Sequence, residues 1–200
     1  ISLIGTATGH AAEAEKIVSD MKARIKAVND KVVANVKPED YPTVAHIVWT
    51  DPFWVSGGNT FEDDMITLAG GKNAFSDVNG WGIVTLEKFL TTDPAILLVD
   101  SQNYLSSGDD VLKQYFYTEP RVKTLSAVKN NQVNLFNADL IDRGGPRMAE
   151  CIERIAAILH PDLFDAPVET KQTASPGFSG FAAIAAAAAL AGVILVSRRR

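Results

Sequence analysis

Ala95-Ile96-Leu97-Leu98-Val99 is an unbroken apolar run, and it limits this chain more than any other segment. Successive strand residues point to opposite faces, so a strand with no polar alternate must be buried on both. Burial on both faces implies a layered α/β fold rather than a half-solvated antiparallel sheet. The neighbouring segments agree. Residues 43–49 and 132–136 read as two more strands, and helical patterns occupy 61–69, 85–90, 111–117 and 147–159. Thr60 suits an N-cap, Gly70-Gly71 a stop, and Pro146 the first turn of the last helix. This alternation predicts an α/β lobe with a mainly parallel sheet flanked by helices, and ligands at the carboxyl ends of its strands.

Residues 11–34 read as one long amphipathic helix, with Ile17, Met21, Ile25, Val28 and Val32 on one face. Pro38 and Pro42 end it. At the other terminus, Ser175-Pro176-Gly177-Phe178 opens an uncharged run through Val196, closed by Arg198-Arg199-Arg200. Nineteen helical residues would reach roughly 28 Å, about the thickness of a bilayer's hydrocarbon core. A transmembrane helix is therefore expected at 178–200, with its Arg cluster on the cytoplasmic side and the preceding domain outside. The competing assignment is a buried Ala-rich helix, which the polar linker at 164–177 argues against.

A net charge of −5, with no Lys/Arg cluster outside the tail, disfavours nucleic acid as a partner. One cysteine excludes an internal disulfide, and Cys151 lies in an apolar-periodic helix, where it reads as a small core side chain. His10, His46 and His160 show no metal-ligand spacing, and no nucleophile–base motif is present. No catalytic residue, metal site or cofactor is therefore assigned. The chain starts at Ile1 with neither a Met nor a signal segment, so an upstream part is expected.

The informative residues follow strands or begin helices. Asp51-Pro52-Phe53-Trp54 runs into Ser56-Gly57-Gly58-Asn59-Thr60, Trp81 lies between Gly80 and Gly82, and Asp139 and Arg143 precede Gly144-Gly145-Pro146. Indoles on glycine-flanked loops would offer flat apolar faces, and an Arg would pair with a carboxylate or stack on a planar group. Trp54 and Trp81 serve equally well as lids over core edges, Trp49 reads as core, and Asp139 with Arg143 reads, from the residues alone, better as a local ion pair that fixes the loop. The 56–60 turn could cradle a phosphate ahead of a helix, on a weak pattern.

The order of segments resembles the C-terminal part of the substrate-binding proteins that serve ABC importers of iron-siderophores, haem and cobalamin. The likeness rests on Gly5-Thr6-Ala7-Thr8-Gly9, Asp51-Pro52-Phe53-Trp54-Val55-Ser56-Gly57-Gly58 and Leu68-Ala69-Gly70-Gly71-Lys72-Asn73. It continues through Gly80-Trp81, Val84-Thr85-Leu86-Glu87, Asp93-Pro94-Ala95-Ile96, Val128-Lys129-Asn130-Asn131-Gln132-Val133 and Arg143-Gly144-Gly145-Pro146-Arg147. The resemblance implies two lobes joined by a long helix: 1–10 ending an absent first lobe, 11–36 the interlobe helix, and 43–163 the ligand-binding lobe. It implies a non-enzymatic protein that captures a metal chelate or corrinoid and delivers it to an ABC permease with its ATPase. By the same likeness Trp54, Trp81, Asp139 and Arg143 line the ligand cleft and Glu87 docks on the permease, though Gly82-Ile83-Val84 departs from the family's pattern beside the cleft tryptophan. The tail resembles an archaeal Pro-Gly-Phe surface-sorting signal, which implies a sorting enzyme, a membrane anchor and a place at the cell surface. A surface adhesion module without a ligand, and a membrane-tethered enzyme with catalytic groups upstream, are the rival functions.

Overall fold

The computed structural model describes residues 1–101 and 111–165. Its strands are β1 (Thr43–Thr50), β2 (Phe53–Ser56), β3 (Lys72–Asn73), β4 (Trp81–Val84), β5 (Ile96–Ser101) and β6 (Val133–Asn137). Its helices are α1 (Ser2–Thr8), α2 (Ala11–Asn35), α3 (Phe61–Leu68), α4 (Leu86–Thr92), α5 (Val111–Thr118), α6 (Ser126–Lys129), α7 (Ala138–Ile141) and α8 (Met148–Leu159). The expected N-cap is present, with Thr60 Oγ1 accepting from the Asp63 amide at 3.2 Å. Thr85 likewise caps α4 through the Lys88 amide at 3.1 Å.

The apolar run lies in the middle of the sheet and behaves as its composition demands. Ile96 and Leu98 of β5 face one core with Val28, Val32, Met65, Ile66, Ile152 and Ile155 from α2, α3 and α8. Leu97 and Val99 face the other, with Phe89, Phe116 and Ala127 from α4, α5 and α6. Each such side chain contributes about 1.5–3 kcal/mol on removal from water. The second core is aromatic: the Phe53 and Phe89 rings stack at 4.4 Å, and Phe75 stacks on Phe89 at 5.5 Å. α2 is also tied to α8 by two hydrogen bonds from Arg24 to Glu153, at 2.8 and 2.6 Å. Gly70 ends α3 in the left-handed region at φ 83°, and a Cβ there would lie 2.5 Å from both His160 and Val32. Only glycine satisfies both demands.

The sheet is mixed, which refines the expectation of a mainly parallel one. Its order is β4-β2-β1-β5-β6, with β3 also paired to β1. The β1–β5, β5–β6 and β1–β3 pairs are parallel, whereas β1–β2 and β2–β4 are antiparallel. The chain reverses at Asp51-Pro52 immediately after β1, so residues read as a loop fold back as a hairpin strand. Among the described residues no helix is long and apolar enough to cross a membrane. The transmembrane helix expected at 178–200, and the linker beyond Asp165, lie outside the described residues.

Two outcomes follow for the core. Phe89→Ala removes the ring at the centre of the aromatic cluster and should lower the unfolding free energy by about 3–5 kcal/mol in a denaturant titration. Cys151 is fully buried, and burial pushes its thiol pKa up. Iodoacetamide should therefore label it only after unfolding, as mass spectrometry would show.

Candidate functional site

The hairpin packs one face on the second core, through Phe53 and Val55, and leaves aromatic side chains of the other face partly in solvent. Trp49 pairs with Trp54 across β1 and β2, and Trp54 pairs with Ile83 across β2 and β4. Trp49 is 53% exposed, Trp54 40% and Ile83 55%. Assigning Trp49 to the core was therefore incorrect. The register of β1 shifts between Ile47 and Trp49, and beyond that bulge the side chain leaves the buried face. Its indole Nε1 donates to the Asp51 carbonyl at 3.1 Å.

Trp81, 38% exposed, pairs with Ser56 in β4 and β2. Residues two apart on a strand share a face, so Trp54 and Ser56 point the same way, as do Trp81 and Ile83. The two candidate indoles therefore lie on one face of the sheet as diagonal neighbours. Both stand on strands, not on the loops that flanking glycines suggested. Gly57 and Gly58 have a packing role. Their amides donate to Gly80 O at 2.9 Å and Val78 O at 2.7 Å, and a Cβ would lie 2.0 Å from Val78 O and 2.4 Å from Ser76 O. Both glycine amides are therefore already engaged and are not open to a phosphate.

Beneath Trp81 lies a buried polar cluster. The His46 ring meets the Trp81 indole edge-on at 5.8 Å between centroids. Its Nδ1 is 3.1 Å from Ser56 Oγ and its Nε2 is 2.9 Å from Asp100 Oδ1. Asp142 Oδ1 lies 3.7 Å from the same Nε2. Glu62 of α3 is fully buried, and neither of its carboxylate oxygens has a hydrogen-bond partner among the described residues. The second oxygen of Asp100 is also unpartnered.

The close charges perturb His46, Asp142 and Glu62. Burial pulls the His46 pKa down, but the hydrogen bond and charge of Asp100, joined by Asp142 and Glu62, raise it overall. Burial pushes Asp142 up to about 7, with the Asp100 charge adding to the effect. Burial likewise raises Glu62.

Asp139 and Arg143 form a solvent-exposed ion pair, Arg143 Nη2 to Asp139 Oδ1 at 2.8 Å. Arg147 adds a hydrogen bond to the Asp139 carbonyl at 2.8 Å. The pair spans α7 and the turn after it, and Asp142, at the end of α7, lies beside the His46 that packs against Trp81. Glu87 is exposed on α4, beside an open depression lined by Thr85, Lys88, Thr91 and Thr92. α4 covers the opposite core, so Glu87 does not join the tryptophans.

His46, Asp100, Asp142 and Glu62 escaped the sequence reading because no motif links positions so far apart in the chain. A weaker signal was present. His46 interrupts an apolar strand between Ala45 and Ile47, and Asp100 follows Val99 directly. A polar side chain on a doubly buried strand needs a partner.

Known proteins share this arrangement of elements. The family model for periplasmic binding proteins matches residues 1–140. An uncharacterised ABC transporter substrate-binding lipoprotein of Bacillus subtilis is 29% identical over 165 residues, covering 82% of this chain and 50% of its own. A cobalamin-binding protein of Halobacterium salinarum is 26% identical, covering 98% of this chain and 56% of its own. The chain thus spans about half the length of the curated relatives it matches. Among solved structures, a periplasmic haem-binding protein of Pseudomonas aeruginosa superposes with a TM-score of 0.72 at 20% identity, over 84% of this chain and 60% of that one. The periplasmic haem-binding protein RhuT of Roseiflexus gives 0.66 at 22% identity, over 80% and 60%. Likeness at that identity establishes the shared fold, and the match over residues 1–140 establishes the kinship: this chain belongs to the periplasmic binding protein family.

Proposed function

We propose that this chain forms the ligand-binding lobe of an extracytoplasmic component of an ABC importer, and that the cargo is an iron chelate, a haem or a corrinoid. The observation that carries this reading is the pair Trp54 and Trp81, two partly exposed indoles on one sheet face. Exposed indoles on a rigid sheet present a wide, flat apolar surface with little entropy to lose on binding. Such a surface suits a large, partly planar cargo better than a bare ion. The names of the relatives, cobalamin-binding and haem-binding, support the same class. The role is capture and release, as expected of a family of solute-binding proteins.

In this reading α2 is the interlobe helix and residues 43–163 form one lobe of a two-lobed protein, with 1–10 closing the other. Trp54 and Trp81 pack on the cargo, while Asp139 and Arg143 orient its polar edge. Glu87, on the opposite side of the sheet, meets the permease with its ATPase. The tail after the 164–177 linker holds the protein at the cell surface, through the span at 178–200 or through a lipid exchanged for it by a sorting enzyme at the Pro-Gly-Phe motif.

In the full-length protein, Trp81→Ala should weaken the binding of cobalamin, haemin or an iron(III) hydroxamate by about 1–3 kcal/mol, measured by titration of tryptophan fluorescence. An unchanged Kd for whichever of these the wild type binds would remove Trp81 from the site, and a wild type that binds none of them would end the cargo assignment. Arg143→Ala should also weaken binding, yet change the unfolding free energy by less than about 1 kcal/mol, because its pair with Asp139 is solvent-exposed. Glu87→Ala should leave the Kd intact and slow uptake by cells; normal uptake would reject the docking role.

A further inference from the structure

The buried cluster has the chemistry of a metal site. His46 Nε2, Asp100 and Asp142 each offer one ligand atom, and these atoms all lie within 4.8 Å of one another. Four ligands at roughly 2.0–2.2 Å from a common centre in a tetrahedron are separated by about 3.3–3.6 Å. The 2.9 and 3.7 Å separations from Nε2 bracket that range. The ligands also have an outer layer. Once a bound ion displaced the Nε2 proton, Nδ1–H could donate to Ser56 Oγ, the outer contact that a ligating histidine requires.

A second, separate observation points the same way. Glu62 comes from α3, is fully buried, and has both carboxylate oxygens unpartnered among the described residues. Its charge acts on His46, Asp100 and Asp142. A cation held by His46, Asp100 and Asp142 would also balance the buried charge of Glu62, which stands outside that close group but acts on it electrostatically. Asp142 is about a quarter exposed, and it provides the route from solvent.

We infer that His46, Asp100 and Asp142, with Glu62 completing the charge, form a binding site for one divalent first-row transition-metal ion of the zinc or manganese type. One imidazole nitrogen with carboxylate oxygens suits such ions, while calcium needs six to eight oxygens and magnesium keeps several waters. The ion would sit inside the lobe, below the indole of Trp81, and is distinct from any cargo on the exposed face. The site goes beyond the proposed transport role and stands whether or not the cargo assignment holds.

The test uses the full-length protein, stripped with a chelator and titrated with CoCl2, with ZnCl2 as competitor. One Co2+ per chain should bind, give visible absorption bands, and quench tryptophan fluorescence, with the quenching lost in Trp81→Phe but the stoichiometry retained. His46→Gln and Asp100→Asn should each weaken Co2+ binding at least tenfold. Should either fail to fold by circular dichroism, Asp142→Asn, altered at the partly exposed edge of the cluster, should show the same tenfold loss in a folded protein. Substoichiometric binding by the wild type, or an affinity that Asp142→Asn leaves unchanged, would overturn the site. Loss of cobalamin or haemin binding with Co2+ binding intact would reject the transport reading alone.

Discussion

Burial of β5 on both faces is the constraint from which the rest of the structure follows. Leu97 and Leu98 are neighbours in the chain yet belong to different cores, so a helix layer is needed on each side. α2, α3 and α8 form one layer and α4, α5 and α6 the other. The same enclosure governs the polar residues. His46 and Asp100, carried on adjacent central strands, lie where water is excluded, and each lies within hydrogen-bonding distance of the other.

The hairpin has a different logic. β2 and β4 extend the sheet with one face on the second core, through Phe53, Val55 and Val84, and the other partly open, and the 76–80 loop is held against Gly57 and Gly58 by amide hydrogen bonds. The aromatic face stands on that extension. One side of Ser56 bonds to the buried imidazole while its register partner is the exposed Trp81. Buried polar groups and an exposed aromatic surface are thus two layers of one construction, joined at the β2–β4 pair.

Much of the framework was legible in the chain. α2 spans Ala11–Asn35, close to the 11–34 read from apolar spacing, and β1, β5, β6, α3, α5 and α8 fall within a few residues of their expected places. The short elements were not legible. β2 has four residues and β3 two, too few for a period to show, and their glycine neighbours resemble loops. Trp49 ends an apolar strand and so read as core; only the bulge beside it turns the ring outward. Conversely, Trp54 and Trp81 carried an ambiguous pattern, and only the strand register puts both indoles, each partly exposed, on one face.

What the sequence determined alone is the layered α/β plan, because apolar runs and helical spacing are local patterns that allow few burial schemes. Only the tertiary structure decided that positions 46, 100 and 142 meet, with buried Glu62 near enough to act on them, and that two indoles share a face. Strand register and helix docking set those distances. They depend on pairings between segments remote in the chain, which no local pattern encodes.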